Sequence, residues 1–340
     1  MGIRLIIKQK GLFKRSRKPI PFDIILGEKL QYGTYGRGRL ENEHSDDRLT
    51  AVLPHAWGRG IWVWLKEDNK ELTIALPTPC HEAEVDELFE MVLRIAQYWK
   101  CSIFVEGNKG RYSLTEIPND IKVAHAYNKS TIQRIAKAIM DEPYSENGEP
   151  NIFSCIGGLH QVAFGPKEAE KFLENPDNYS EWLHKVQDSD AHYSYPDFYK
   201  WAEDNIEGVY DLFPGFSFLL PYQPFALNYD IFKKTGEQAH AHKWSVCFTD
   251  VETKEEMGQL PYNVFLETLD REDMVYHDAH CFMLPNLTHD KIKKILECGK
   301  AIIEDRSEAE DCDRSKEQSS ADPREKVAKL IELAEKRQEC

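Results

Sequence analysis

The sequence predicts an α+β protein: mixed, mainly antiparallel sheets packed against helices, followed by an acidic linker and a terminal helix. Three observations lead there. Short apolar runs alternate at period two, as in Ile3-Arg4-Leu5 and Ile61-Trp62-Val63-Trp64-Leu65, the pattern of half-buried strands. Longer runs repeat at three- and four-residue steps, as in Val85, Leu88, Phe89, Val92, Ile95, Ala96 and Trp99, which gives a helix one apolar face. The two kinds of run follow each other in irregular order, which argues against a doubly wound parallel sheet.

Ile3, Leu5 and Ile7 start a strand, and a basic turn, Gly11 to Lys18, leads to a second strand around Ile20 to Leu26. YGTYGRGR, with Gly33, Gly36 and Gly38, reads as hairpin turns. Arg37, Arg39 and Arg59 beside glycines are an alternative cradle for a phosphate or carboxylate. Ile61–Leu65 and Leu72–Leu76 form a hairpin over Glu67-Asp68-Asn69-Lys70. The helix through Val85 to Trp99 opens on Glu82, Glu84, Asp86 and Glu87, at the positive end of its dipole. A strand at Ser102 to Glu106, another around Arg111 to Ile117, and a helix carrying Ile132, Ile135, Ala136 and Ile139 complete the first half.

Pro143 to Pro150, with Asn147, Gly148 and several acids, marks the break between halves. Helices then open at Pro166 and near Ser180, followed by an aromatic-rich β region from Tyr193 to Tyr229 and a strand over Trp244 to Phe248. A short helix near Val264, a strand over Cys281 to Leu284 and a Thr288-capped helix with Ile292, Ile295 and Leu296 close the second half. After Glu304 apolar residues nearly vanish. The expected domains are therefore 1–146 and 147–303, then a disordered acidic linker at 304–321 and an amphipathic helix at 322–340. Asp322 caps that helix, with Pro323 at its first position.

With 340 residues, 43 Lys and Arg and 58 Asp and Glu, the formal charge is −15. Residues 1–22 carry +7, leaving −22 elsewhere. That balance argues against nucleic acid or anionic lipid as the general partner. No apolar run is long enough to span a bilayer, and Met1 to Lys10 lacks a leader pattern. Eight cysteines without a CxxC pair suit free thiols in a reducing cytoplasm.

Three clusters carry candidate chemistry. His277 and His280 in YHDAHC, with His240 and His242 in QAHAHKW, are the candidate metal ligands. On an extended strand His240 and His242 share a face, and zinc suits imidazole donors. Satisfied histidines are the structural alternative. Lys14, Arg15, Arg17 and Lys18 in KRSRK form a candidate contact for an acidic partner or nucleic acid, against the alternative of a solvated hairpin tip. In SCIGGLH, Cys155, two glycines and His160 imitate a nucleophile with a base, but no nucleophile-elbow or protease signature accompanies them. The aromatic runs around Trp62, Tyr199 and Phe218 read as core, with the alternative of anchors for another protein.

The ordered set IKQKGLF, ILGEKLQYGTY, the WVW strand, ELFEMVLRIAQYW, KFLENPDNYSEWLHKVQ and LPYQPFAL resembles the bacterial family called domain of unknown function 4299, over most of residues 1–300. The resemblance implies a bacterial cytosolic protein and supplies no activity, cofactor or site residue. The expected function is a non-enzymatic module that binds a basic protein partner and needs no cofactor. The alternative is a hydrolase or metal-dependent enzyme with a His-rich pocket.

Overall fold

The computed structural model describes residues 2–9, 19–36, 39–41, 48–65, 71–105, 117–146, 148–188, 192–193, 196–197, 201–202, 205–224 and 243–313. The chain divides into two compact units: Met1–Ser145 with Pro150–Ser189, and Glu146–Glu149 with Asp190–Cys340. No helix among the described residues is long and apolar enough to cross a membrane.

The first unit is built on an antiparallel sheet of β1 (Gly2–Lys8), β2 (Gln31–Gly36), β3 (Arg39–Glu41), β4 (Arg48–Val52), β5 (Ile61–Leu65), β6 (Glu71–Pro77) and β7 (Ser102–Val105). Their spatial order is β3-β2-β4-β5-β6-β1-β7. Alternation sends Leu5 and Ile7 into the core, where they meet helix α2 (Glu82–Trp99). The expected strand around Ile20 to Leu26 is instead a short helix, α1 (Phe22–Leu26). Its last carbonyls explain the difference: Arg94 donates to the Ile24, Ile25 and Leu26 carbonyl oxygens, filling acceptors that a helix end leaves open. Arg94 is itself held by buried Glu87 at 2.8 Å.

The long helix α3 (Ile117–Asp141) carries Ile132, Ala136 and Ile139 into a second core. That core is shared with hairpin β8 (Phe153–Ile156) and β9 (Gln161–Phe164) and helices α4 (Pro166–Glu174) and α5 (Asn178–Gln187). Phe164, Phe172 and Tyr179 meet there edge to face. The chain therefore returns to the first unit at Pro150 and stays in it through Ser189. Tyr144 bridges to Pro150, and the Asn151 N–H donates to the Pro143 carbonyl at 2.9 Å. The Pro- and Gly-rich segment turns the chain back, so that the apolar faces of α4 and α5 close on α3.

The second unit holds two sheets. One is β10 (His192–Tyr193), β14 (Phe216–Pro221), β18 (Cys281–Leu287) and β17 (Val275–Tyr276), in the order β10-β14-β18-β17. The other is β11 (Pro196–Asp197), β13 (Asn205–Leu212), β15 (Lys243–Thr249) and β16 (Glu256–Pro261), with β12 (Trp201–Ala202) also on β13. The β10–β14 and β13–β15 pairs are parallel and the rest antiparallel. Helices α6 (Tyr262–Thr268) and α7 (His289–Asp313) complete the unit, and Thr288 caps α7 through the Lys291 N–H. Helix α7 continues through residues 304–313, which composition assigns to the linker. Arg306 explains this, donating to both Glu267 oxygens at 2.7 and 2.8 Å and tying the late turns to α6. The rest of the expected linker and the 322–340 helix lie outside the described residues.

Candidate functional site

Partitioning the charge between the two units isolates one surface property. By sequence, the first unit carries 25 acidic and 25 basic side chains, whereas the second carries 33 acidic and 18 basic. The whole formal charge of −15 therefore belongs to the second unit.

Two acidic loops of that unit converge on the start of α7. The β15–β16 turn is closed by Asp250, whose Oδ1 accepts from the Glu252 and Thr253 N–H groups at 2.8 and 3.0 Å. Its Oδ2 meets His289 Nε2 at 2.8 Å. The Thr253 N–H and then His289 draw the Asp250 carboxyl down to about 2. The second loop follows α6, and its Asp273 pairs with Lys291 at 2.6 Å. His289 and Lys291 thus bring the two loops to the same helix turn. Glu252, Glu255, Glu256, Asp270 and Glu272 stand exposed around them, and Asp290 adds a further acid in the first turn of α7. The dipole of α7 favours acids at this end, which is the structural reason the cluster is tolerated. Lys254, Arg271, Lys293 and Lys294 are also exposed on these segments; with Lys291 they are five bases against eight acids, which leaves the surface net negative.

The candidate metal ligands separate in fate. His240 and His242 lie outside the described residues. His277 and His280 sit in the turn between β17 and β18, which buried Asp278 organises. Its Oδ1 accepts from the His280 and Cys281 N–H groups at 2.8 and 2.7 Å. Burial takes the His280 imidazole down to about 4, so it is neutral at pH 7. Among the described residues no group of three His, Cys, Asp or Glu side chains is arranged to hold a metal ion. Lys14, Arg15, Arg17 and Lys18 lie outside the described residues.

SCIGGLH folds as the β8–β9 hairpin. Cys155 is buried with its Sγ 3.9 Å from the Tyr179 hydroxyl, and buried His160 faces the Gln161 carbonyl through Nδ1 at 2.9 Å. The Gly158 N–H donates to the Gly58 carbonyl at 2.7 Å. Arg59 Nε likewise donates to the Ile156 carbonyl at 3.1 Å. Cys155 and the Gly158 amide therefore serve packing and chain pairing here.

Sequence reading missed a buried polar junction around Trp57 to Gly60. Glu84, at 1% exposure, accepts from the N–H groups of Arg59, Gly60 and His81 at 3.1, 2.6 and 3.0 Å. Gln187 donates to the Gly58 carbonyl, and the Trp57 N–H donates to His184 Nδ1 at 3.1 Å. Gly58 is required here: a Cβ would lie 2.0 Å from Glu84 Oε2. Desolvation raises the Glu84 carboxyl to about 6 against the pull of those three donors. Burial, then neighbouring His184, lowers His81 to about 4. The available signal was a capping pattern, His81 followed three residues later by Glu84.

A family model described as Domain of unknown function (DUF4299) matches residues 2–295. No curated protein and no solved structure matches the chain.

Proposed function

We propose that this chain, which belongs to the DUF4299 family, acts as a protein-binding module that takes a basic partner on the acidic surface of its second unit. The observation that carries this reading is the confinement of the net charge to that unit, 33 acidic against 18 basic side chains. A field of one sign speeds encounter with an oppositely charged partner and repels acidic ones. The exposed acids at the start of α7 supply the contact. Cys80, Cys101, Cys155, Cys247, Cys281 and Cys298 are free thiols, which supports our placing the module in a reducing cytoplasm.

A fluorescent decalysine peptide tests the reading on the full chain. Anisotropy titrations are expected to show saturable binding that weakens steeply as salt rises. Reversing Glu252, Glu255 and Glu256 to Lys together is expected to weaken binding about tenfold, from three exposed contacts at about 0.5 kcal/mol each. Binding indifferent to salt, or unchanged in the reversed variant, would refute it.

A further inference from the structure

A cavity of about 300 Å³ opens in the first unit where β1 runs past the end of β7. β7 pairs only with Leu5–Lys8, so Gly2 and Ile3 have β6 as their strand neighbour among the described residues. Helices α2 and α3 wall the space beside that stretch. Ile3, Leu5 and Ile103 line it from the sheet, with Phe89 and Val92 from α2. From α3, Ile117, Asp120 and Ala124 point the same way, and Val123 and Tyr127 stand at the mouth, 60% and 40% exposed.

Charge decides what such a space accepts. Among the described residues, two that line it are charged, Arg4 and Asp120. Strand alternation turns Arg4 to the face opposite Ile3 and Leu5, and its guanidinium lies over the Trp64 ring, 5.8 Å from the centroid. Asp120 shares its helix face with Ile117 and Ala124, so among the described lining residues the charge on the apolar side of the sheet is a carboxylate. We infer that this cavity binds a small apolar molecule bearing one ammonium group, its hydrocarbon against Phe89, Val92 and Ile103 and its ammonium at Asp120. The volume lies at the small end of ligand pockets, suited to one fused ring or a short chain. An anionic ligand would face Asp120 with like charge, and a neutral one would gain no ion pair from it. A carboxylate has about four acceptor sites, so the interaction Asp120 already makes is compatible with a second. The site belongs to the first unit and is independent of the acidic surface of the second.

Calorimetric titration of the full chain with naphthylmethylamine and with its N-acetyl derivative tests this. Saturable binding is expected for the amine, with the acetylated probe about tenfold weaker because it cannot form the charged hydrogen bond. Asp120→Asn is expected to remove the difference between the two probes, and Val123→Trp, at the exposed mouth, to abolish binding of both. Melting temperatures report whether each variant folds, and the comparison of the two probes on the unaltered chain needs no variant. The inference is overturned by the absence of saturable binding, by equal affinity for amine and acetylated probe, by tighter binding of naphthoate, or by binding that survives Val123→Trp.

Discussion

Replacing Glu84 by Gln keeps the shape of the side chain and removes its charge, which isolates the energetics of the junction at Trp57 to Gly60. The folded protein holds the Glu84 proton up to about pH 6, against an ordinary value of 4.5, because burial penalises the charged form. That interval corresponds to about 2 kcal/mol. The folded value is the higher one, so this stabilisation is fully present below 4.5 and is lost as pH rises through 6. The amide also sets its NH2 group against one of three backbone donors, adding a pH-independent cost of about 1–3 kcal/mol. Glu84→Gln is therefore expected to destabilise more at pH 4.5 than at pH 7.5, by about 2 kcal/mol. Urea unfolding followed by tryptophan emission measures it, since Trp57, Trp62, Trp64, Trp99 and Trp182, five of the seven, lie in the first unit. Taking the difference between parent and variant at each pH cancels the opposite contribution of His81. A difference that is constant, or that grows with pH, would refute the assignment of Glu84 as a desolvated carboxylate.

Asn128 holds the backbone of Cys80 from both sides, accepting its N–H at 3.0 Å and donating to its carbonyl at 2.9 Å. Asn128→Ala leaves both buried groups unsatisfied and is expected to lower stability by about 2–4 kcal/mol, read as a fall in the urea midpoint; a change below about 0.5 kcal/mol, the scale of an ordinary surface substitution, would count against it. In the second unit, the His280 imidazole is expected to titrate near 4 by NMR. Its folded value lies below the ordinary 6.5, so the stability it contributes is present above 6.5 and is lost as pH falls toward 4. A midpoint near 6.5 would show a solvated ring.

Local periodicity carried the reading wherever one apolar face meets one core. Ile3, Leu5 and Ile7, the Ile61–Leu65 and Leu72–Leu76 hairpin, the helix through Val85 to Trp99 and the Thr288 cap all appear as expected. It failed at short segments decided by distant partners. Phe22 to Leu26 is as apolar as a strand, and Arg94, about seventy residues away in sequence, supplies the hydrogen bonds that suit a helix end. Residues 304–313 lack the apolar stripe that marks a packed helix, yet Arg306 finds Glu267. The junction was hidden for the same reason. Glu84 reads as an ordinary first-turn acid, and only the approach of the distant Arg59 and Gly60 N–H groups makes it a buried acceptor.

The charge pattern was the least legible feature, because it depends on which residues share a unit. A cut near residue 146 groups Pro150–Ser189 with the acidic second half, although that segment's six acids and three bases fold into the first unit. Returned there, they offset the basic excess that begins at the N-terminus, and the first unit becomes neutral. Neutrality follows from which helices close the α3 core: Phe172, Tyr179 and Leu183 draw α4 and α5 to Ile132 and Ala136, and the acids of those helices come with them. Apolar packing thus sets the electrostatic division between the units. A substitution that loosens that core, such as Phe172→Ala at a side chain 1% exposed, is expected to cost about 3–5 kcal/mol, read as a fall in the urea midpoint; a change below about 1 kcal/mol would count against the packing that holds α4 and α5 on α3.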